Sequence, residues 1–230
     1  MNLPGLHPRN FWSTETGLTG LLIFFLGYLI VVTSLGDFGF GAVLARLFFS
    51  LIIVAGVVTI FRKRWLHGFA IVLAAGIIIL KWVEEIRPEV AFTVLNASLS
   101  LLFLGFLLAV VSVQVFGEGP VTGHRIRGAV VMYLLLGVIW ALLYHVVALT
   151  IPQAFRLPED FAGSYPDALQ RQLMYFSFIT LTTTGFGDIT PVHPVAKMLT
   201  MFEALAGQLF LAITIARLVA LAVVHQNEKP

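Results

Sequence analysis

Six long apolar runs alternate with short polar breaks along the chain, at about 17–35, 42–61, 66–83, 91–116, 128–151 and 195–224. Each is close to the roughly 20 residues that a helix needs to cross a bilayer's hydrocarbon core. The pattern therefore predicts an all-α membrane protein with six transmembrane helices. The breaks are compact: GDFG, RKRW, KWVEEIRPE and GEGPVTGHRIR. One interval differs. Residues 152–194 are too many for a tight loop, and half of them are apolar. The opening MNLPGLHPRNFWSTET has no basic n-region and no small-residue cleavage site after it, so the first run is expected to stay as a helix.

Composition removes the soluble alternative. Hydrophobic residues make up 59% of the 230 and charged residues 11%, with a mean hydropathy of +0.95. A soluble globule of this size would leave large apolar patches in water. The absence of cysteine excludes disulfides, iron–sulfur clusters and thiol chemistry. A net charge of +2 gives no reason to expect nucleic acid.

The distribution of charge says more than its sum. With the N-terminus in the cytoplasm, the inner breaks and ends carry eight basic residues against three acidic ones, and the outer side six against eight. Lysine and arginine favour the cytoplasmic side of short loops, so both termini are expected there. The Arg62-Lys63-Arg64 run reads as a topogenic anchor, with lipid or partner recognition as the other possibility.

Chemistry concentrates in 164–190. Ser164 and Asp167 have the spacing of a capping box around Pro166. A helix over about 167–181 would be about 22 Å long, too short to span, so it must enter the membrane and turn back. TTTGFGD follows, with Gly185 and Gly187 either side of Phe186. Glycine permits left-handed backbone, which lets successive carbonyls face one way. A row of inward carbonyl oxygens can replace the hydration shell of a potassium ion.

Set after a half-length helix and between two apolar helices, TTTGFGD is similar to the filter of the tetrameric pore-loop potassium channels. Residues 128–225 resemble that family's helix–pore loop–helix unit, flanked here by an N-terminal stretch 1–16, a four-helix region 17–116, a connector 117–127 and a tail 226–230. The resemblance implies a homotetramer passing K+ passively, with K+ as permeant ion, the bilayer as its setting and no cofactor. By position, Thr183 would give the innermost site, Thr184, Gly185 and Phe186 the carbonyls above it, and Gly187 and Asp188 the outer mouth. The family's filter commonly reads T-V-G-Y-G-D. Thr184 replaces the valine, and Phe186 replaces the tyrosine, which removes one hydroxyl that can tie the filter to its surroundings.

The resemblance also implies supporting residues. Tyr175, Phe176 and Ile179 would back the filter. Tyr175 lies 13 residues before Asp188, where the family often has a tryptophan bonded to that aspartate, and it is either such a donor or an interface anchor. Ile179 stands where some members carry a glutamate. Gly207, 19 residues after Asp188, falls at the family's frequent hinge, although a small residue there also eases helix packing. Gln208, Leu211 and Ile215 share the stripe that would line a cavity below the filter. Gln208 is suited either to hydrate an ion or to bond a neighbouring helix. Glu203, an acid inside the last span, is a functional candidate by default, or else is protonated or paired with a residue such as Lys197.

A voltage sensor is not expected. The fourth run has no arginine between Arg87 and Arg125, and the connector, with three glycines and a proline in eleven residues, is a poor lever. Asn96-Ala97-Ser98 matches a glycosylation acceptor but lies inside a span. The histidines lack metal-ligand spacing, and no nucleophile elbow or phosphate loop occurs, so an enzyme is not expected. The few residues after the last span leave no place for a ligand-binding cytoplasmic domain. The competing functions are a nonselective cation channel and a nonconducting sensor subunit built on a channel scaffold.

Overall fold

The computed structural model of the chain describes residues 8–35, 39–59, 64–87, 89–117, 123–158 and 166–227. Seven helices occur among them: α1 (Pro8–Ser34), α2 (Gly39–Thr59), α3 (Arg64–Ile86), α4 (Val90–Val115), α5 (Gly123–Thr150), α6 (Pro166–Leu181) and α7 (Pro194–Asn227). All except α6 contain a stretch long and apolar enough to cross a membrane. Each of the six predicted runs overlaps one of these, four of them ending one or two residues beyond the helix, and the half-length helix is α6, whose 16 residues stop at Leu181.

Proline opens both helices of the loop unit, Pro166 in α6 and Pro194 in α7, where its missing N–H costs nothing. At α7, His193 Nδ1 accepts the Val195 N–H at 3.3 Å and caps the first turn. Ser164, half of the expected capping box, lies outside the described residues, as do Arg62 and Lys63.

α5 begins at Gly123, so the last five residues of the segment 117–127 are helical and Gly117, Gly119 and Pro120 precede the helix. The reason is local: Arg125, Ile126 and Arg127 are ordinary helix formers. Arg127 also gains two partners by joining the helix, donating from Nε to the Gly123 carbonyl at 3.2 Å and from Nη1 to Thr19 Oγ1 of α1 at 2.5 Å.

One apolar core joins the helices. Leu18, Leu21 and Phe25 of α1, Ile52 of α2, Phe103 and Leu107 of α4, and Val131 and Leu135 of α5 are fully buried. α5 is the shared wall: it packs against α1 and α4 on one flank and against α6 and α7 on the other. Elsewhere the surface carries large apolar side chains such as Ile30, Val72, Ile79 and Val113, which suits hydrocarbon rather than water. A two-stranded antiparallel pair, β1 (Phe155–Arg156) and β2 (Thr190–Pro191), was not foreshadowed by any alternating pattern; it sets Phe155 opposite Pro191. With the Ala154 carbonyl accepting the Val192 N–H at 2.8 Å, it fastens the chain before α6 to the chain after the TTTGFGD loop.

Candidate functional site

Residues 182–188 are exposed, yet both neighbours, Leu181 and Ile189, are almost completely buried. The loop is thus held at its two ends and presented in between. How α6 ends determines its shape. The Thr184 N–H reaches back to the Ile179 carbonyl at 2.8 Å and the Thr183 N–H to the Thr180 carbonyl at 2.8 Å. That paired pattern is a Schellman cap, which requires left-handed backbone at the residue after the cap. Here that residue is Thr183, with φ +57°. A β-branched residue in this region is an outlier that costs on the order of 1–3 kcal/mol. The strain marks a position where the side chain matters more than backbone ease.

Left-handed values recur at Gly185 (φ +55°) and Gly187 (φ +81°), while Thr184 and Phe186 are not in that region. Handedness therefore alternates from 183 to 187. Alternation turns successive carbonyls to the same side of the strand, whereas uniform backbone would coil or zigzag them. A Cβ on Gly185 or Gly187 would meet open space, so backbone conformation alone selects glycine there.

The hydroxyls of this loop are engaged. Gln208 of α7 donates from Nε2 to Thr183 Oγ1 at 2.9 Å, Thr182 donates to the Phe178 carbonyl at 2.7 Å, and the Thr182 and Thr184 hydroxyls lie 2.9 Å apart. Gln208, expected either to meet an ion or to bond across helices, grips the base of the loop itself. At the opposite end Asp188 Oδ1 accepts the Ile189 N–H at 3.0 Å. Tyr175 is raised above the ordinary tyrosine range, first by burial and then by hydrogen bonding and charge from Asp188. Asp188 is thus close enough to act on the Tyr175 hydroxyl.

Behind the loop, α6 rests in a socket. The Leu181 carbonyl, last of α6, accepts the Tyr133 hydroxyl of α5 at 3.2 Å. From the other side Gly207 of α7 comes so close that a Cβ there would stand 2.1 Å from the same carbonyl oxygen. Gly207 is a point of close packing, and α7 runs through it without a break. Phe176 packs on Tyr144 and Phe155, with ring centroids 5.2 and 5.6 Å away. It braces α6 from the α5 side. Ile179 is buried, and its carbonyl rather than its side chain secures the loop. Leu211 and Ile215 are exposed on α7.

Glu203 is wholly buried (0% exposed) at the junction of α5, α6 and α7. Tyr144 of α5 donates its hydroxyl to Glu203 Oε2. Ser177 Oγ of α6 lies 2.5 Å from Glu203 Oε1 and 2.7 Å from the Gly137 carbonyl. One hydroxyl hydrogen cannot serve both acceptors. A neutral carboxyl donating to Ser177, which donates to Gly137, leaves every group satisfied. Glu203 is therefore a hub of three helices held by hydroxyls; Lys197, the partner considered from sequence, is exposed near the start of α7.

Sequence reasoning did not find Tyr133, Gly137, Tyr144 or Ser177. A signal existed: Tyr133, Gly137, Trp140 and Tyr144 are spaced 4, 3 and 4 apart, one stripe of a helix. Gly137 makes room for the Phe178 ring, which a Cβ would meet at 2.6 Å.

Residues 128–223, from α5 through the loop to α7, match the family model described as an ion channel. No curated protein and no solved structure matches the chain. The matched stretch, less than half of the chain, is thus similar to an ion-channel domain, and it lies in a chain whose six long apolar helices suit a multi-pass membrane protein.

Proposed function

We propose that the protein is a potassium-selective channel, a homotetramer in which four copies of Thr183–Asp188 enclose one pathway. The alternation of backbone handedness from Thr183 to Gly187 carries this reading. Carbonyls turned to one side along five residues form one wall of a coordinating column, and one chain supplies only one wall. Thr183, Thr184, Gly185 and Phe186 line the column, and Gly187 and Asp188 form its mouth.

Exposure in the single chain supports assembly. Phe186 is 70% exposed, and α7 presents Met201, Phe202, Leu205, Leu209 and Ile213 uncovered. Neighbouring copies would cover them. The C-terminus of α6, with its partial negative charge, points into the loop and favours a cation below it. In this reading 128–225 is the pore unit, 1–16 and 226–230 are cytoplasmic ends, and α4 senses no voltage because it has no arginines.

Potassium flux from proteoliposomes containing only this protein tests the proposal. K+ and Rb+ should pass well above Na+. Equal K+ and Na+ permeability in a bilayer recording, or no flux from folded protein, overturns it.

A further inference from the structure

We propose that Gln208 is a specificity-determining residue of the pore, its amide fixing Thr183 and thereby the innermost ring of oxygens that tells K+ from Na+. The proposal rests on reading 183–188 as the filter. Thr183 holds a backbone conformation, φ +57°, that glycine would adopt without strain. A strained residue persists only where its surroundings over-determine it. Three contacts do so here. The Thr183 N–H, on the Thr180 carbonyl at 2.8 Å, holds the turn from the α6 side. Gly207 of α7 closes on the Leu181 carbonyl, two residues earlier in the chain. Gln208, next along α7, donates from Nε2 to Thr183 Oγ1 at 2.9 Å. Glycine at 183 would relieve the backbone and offer no oxygen for the third contact.

Among the described residues, no other side chain from outside α6 and its loop hydrogen-bonds residues 182–188. Tyr175 belongs to α6 itself and acts at the opposite end, on Asp188. The base of the loop is thus referred to α7 through one bond. α7 is a firm support there, because the helix is unbroken and Gly207 is packed against backbone.

Which cation a ring of oxygens prefers depends on their number, spacing and field strength. A binding constellation keeps its preference only while its members stay within about 0.5 Å of the productive geometry. The Gln208 bond holds Thr183 to that standard. It occupies one lone pair of Oγ1 and leaves the other for a cation. Four chains would each contribute one Thr183, so loss of the bond would loosen every member of the ring together.

Reversal potentials of the purified full chain in planar bilayers, with K+ on one side and Na+ on the other, test this. Gln208→Met keeps the side chain's length and removes the donor, and should lower the K+/Na+ permeability ratio about fivefold or more. Gln208→Glu should keep most of the ratio, since its carboxylate can accept the hydrogen of the Thr183 hydroxyl. Thr183→Val removes the hydroxyl, so adding Gln208→Met to it should lower the ratio no further. A second readout needs no conduction. K+ should raise the melting temperature above that in Na+, and Gln208→Met should shrink the difference. Melting in Na+ alone shows whether each variant folds, and Gln208→Leu takes the place of a methionine variant that does not. Equal K+ and Na+ permeability in the parent protein defeats the channel reading itself. A selective parent with an equally selective Gln208→Met overturns this proposal alone. So does a Gln208→Glu protein as unselective as Gln208→Met, or a further loss in the Thr183→Val background.

Discussion

Replacing Gly207 by alanine sets two elementary effects against each other. Gly207 sits inside the unbroken helix α7, where alanine is favoured over glycine by about 1 kcal/mol. Helix propensity alone thus predicts a stabilised variant. The added Cβ, however, would stand 2.1 Å from the Leu181 carbonyl oxygen, a backbone atom at the end of α6. Ordinary contact requires roughly 1.3 Å more. No side chain can swing aside, so α6 and α7 must separate. Overpacking of this kind costs about 1–3 kcal/mol. Moving Leu181 also stretches the Tyr133 hydrogen bond to the same carbonyl, from 3.2 Å, and forfeits about 1 kcal/mol. The sum favours net destabilisation of about 1–3 kcal/mol, with Thr183 displaced because it follows Leu181 by two residues. Thermal melting of the detergent-solubilised protein measures the sign, and ion flux measures the displacement. In a Tyr133→Phe background the same substitution should cost less, because the bond it strains is already gone. A Gly207→Ala protein that melts at or above the parent temperature with unchanged flux refutes the reasoning.

Other outcomes follow from the same geometry. Gly185→Ala should abolish selectivity or conduction while the protein stays folded in the membrane, because the new methyl meets open space but the backbone at φ +55° costs a residue with a Cβ about 1 kcal/mol or more; unchanged ion flux would show that the loop is not the filter. Tyr175→Phe removes the hydroxyl facing Asp188, worth roughly 1.5–3 kcal/mol for a bond to a charged group, and should speed current decay in low potassium; identical decay in the variant counts against it. Glu203→Gln should keep stability, since an amide can accept from Tyr144 and donate to Ser177, whereas Glu203→Ala should lose several kcal/mol by stranding buried hydroxyls; equal melting temperatures for the two would contradict the hub. Opening should depend only weakly on voltage, as each elementary charge crossing the membrane is worth about 2.3 kcal/mol per 100 mV and α4 carries none; a conductance curve with several effective charges per channel would refute that.

The spans, the re-entrant helix and the turn that ends it were legible in the amino-acid order alone. Apolar runs of spanning length can be little else, and a helix ending in three threonines and a Gly-Phe-Gly cannot continue. Tyr175 as a partner for Asp188 came only from the resemblance to the channel family, not from the spacing itself. What the amino-acid order left open were choices between partners far apart in the chain. Gly207 is a packing point because Leu181, 26 residues earlier, abuts it. Gln208 bonds Thr183, and Glu203 meets Tyr144 and Ser177 instead of nearby Lys197. Periodicity says which face of a helix is apolar, not which neighbour that face will meet. Only the docking of α5, α6 and α7 decides that, since a hydroxyl buried in hydrocarbon must find an acceptor wherever the packing brings one within 3 Å or so.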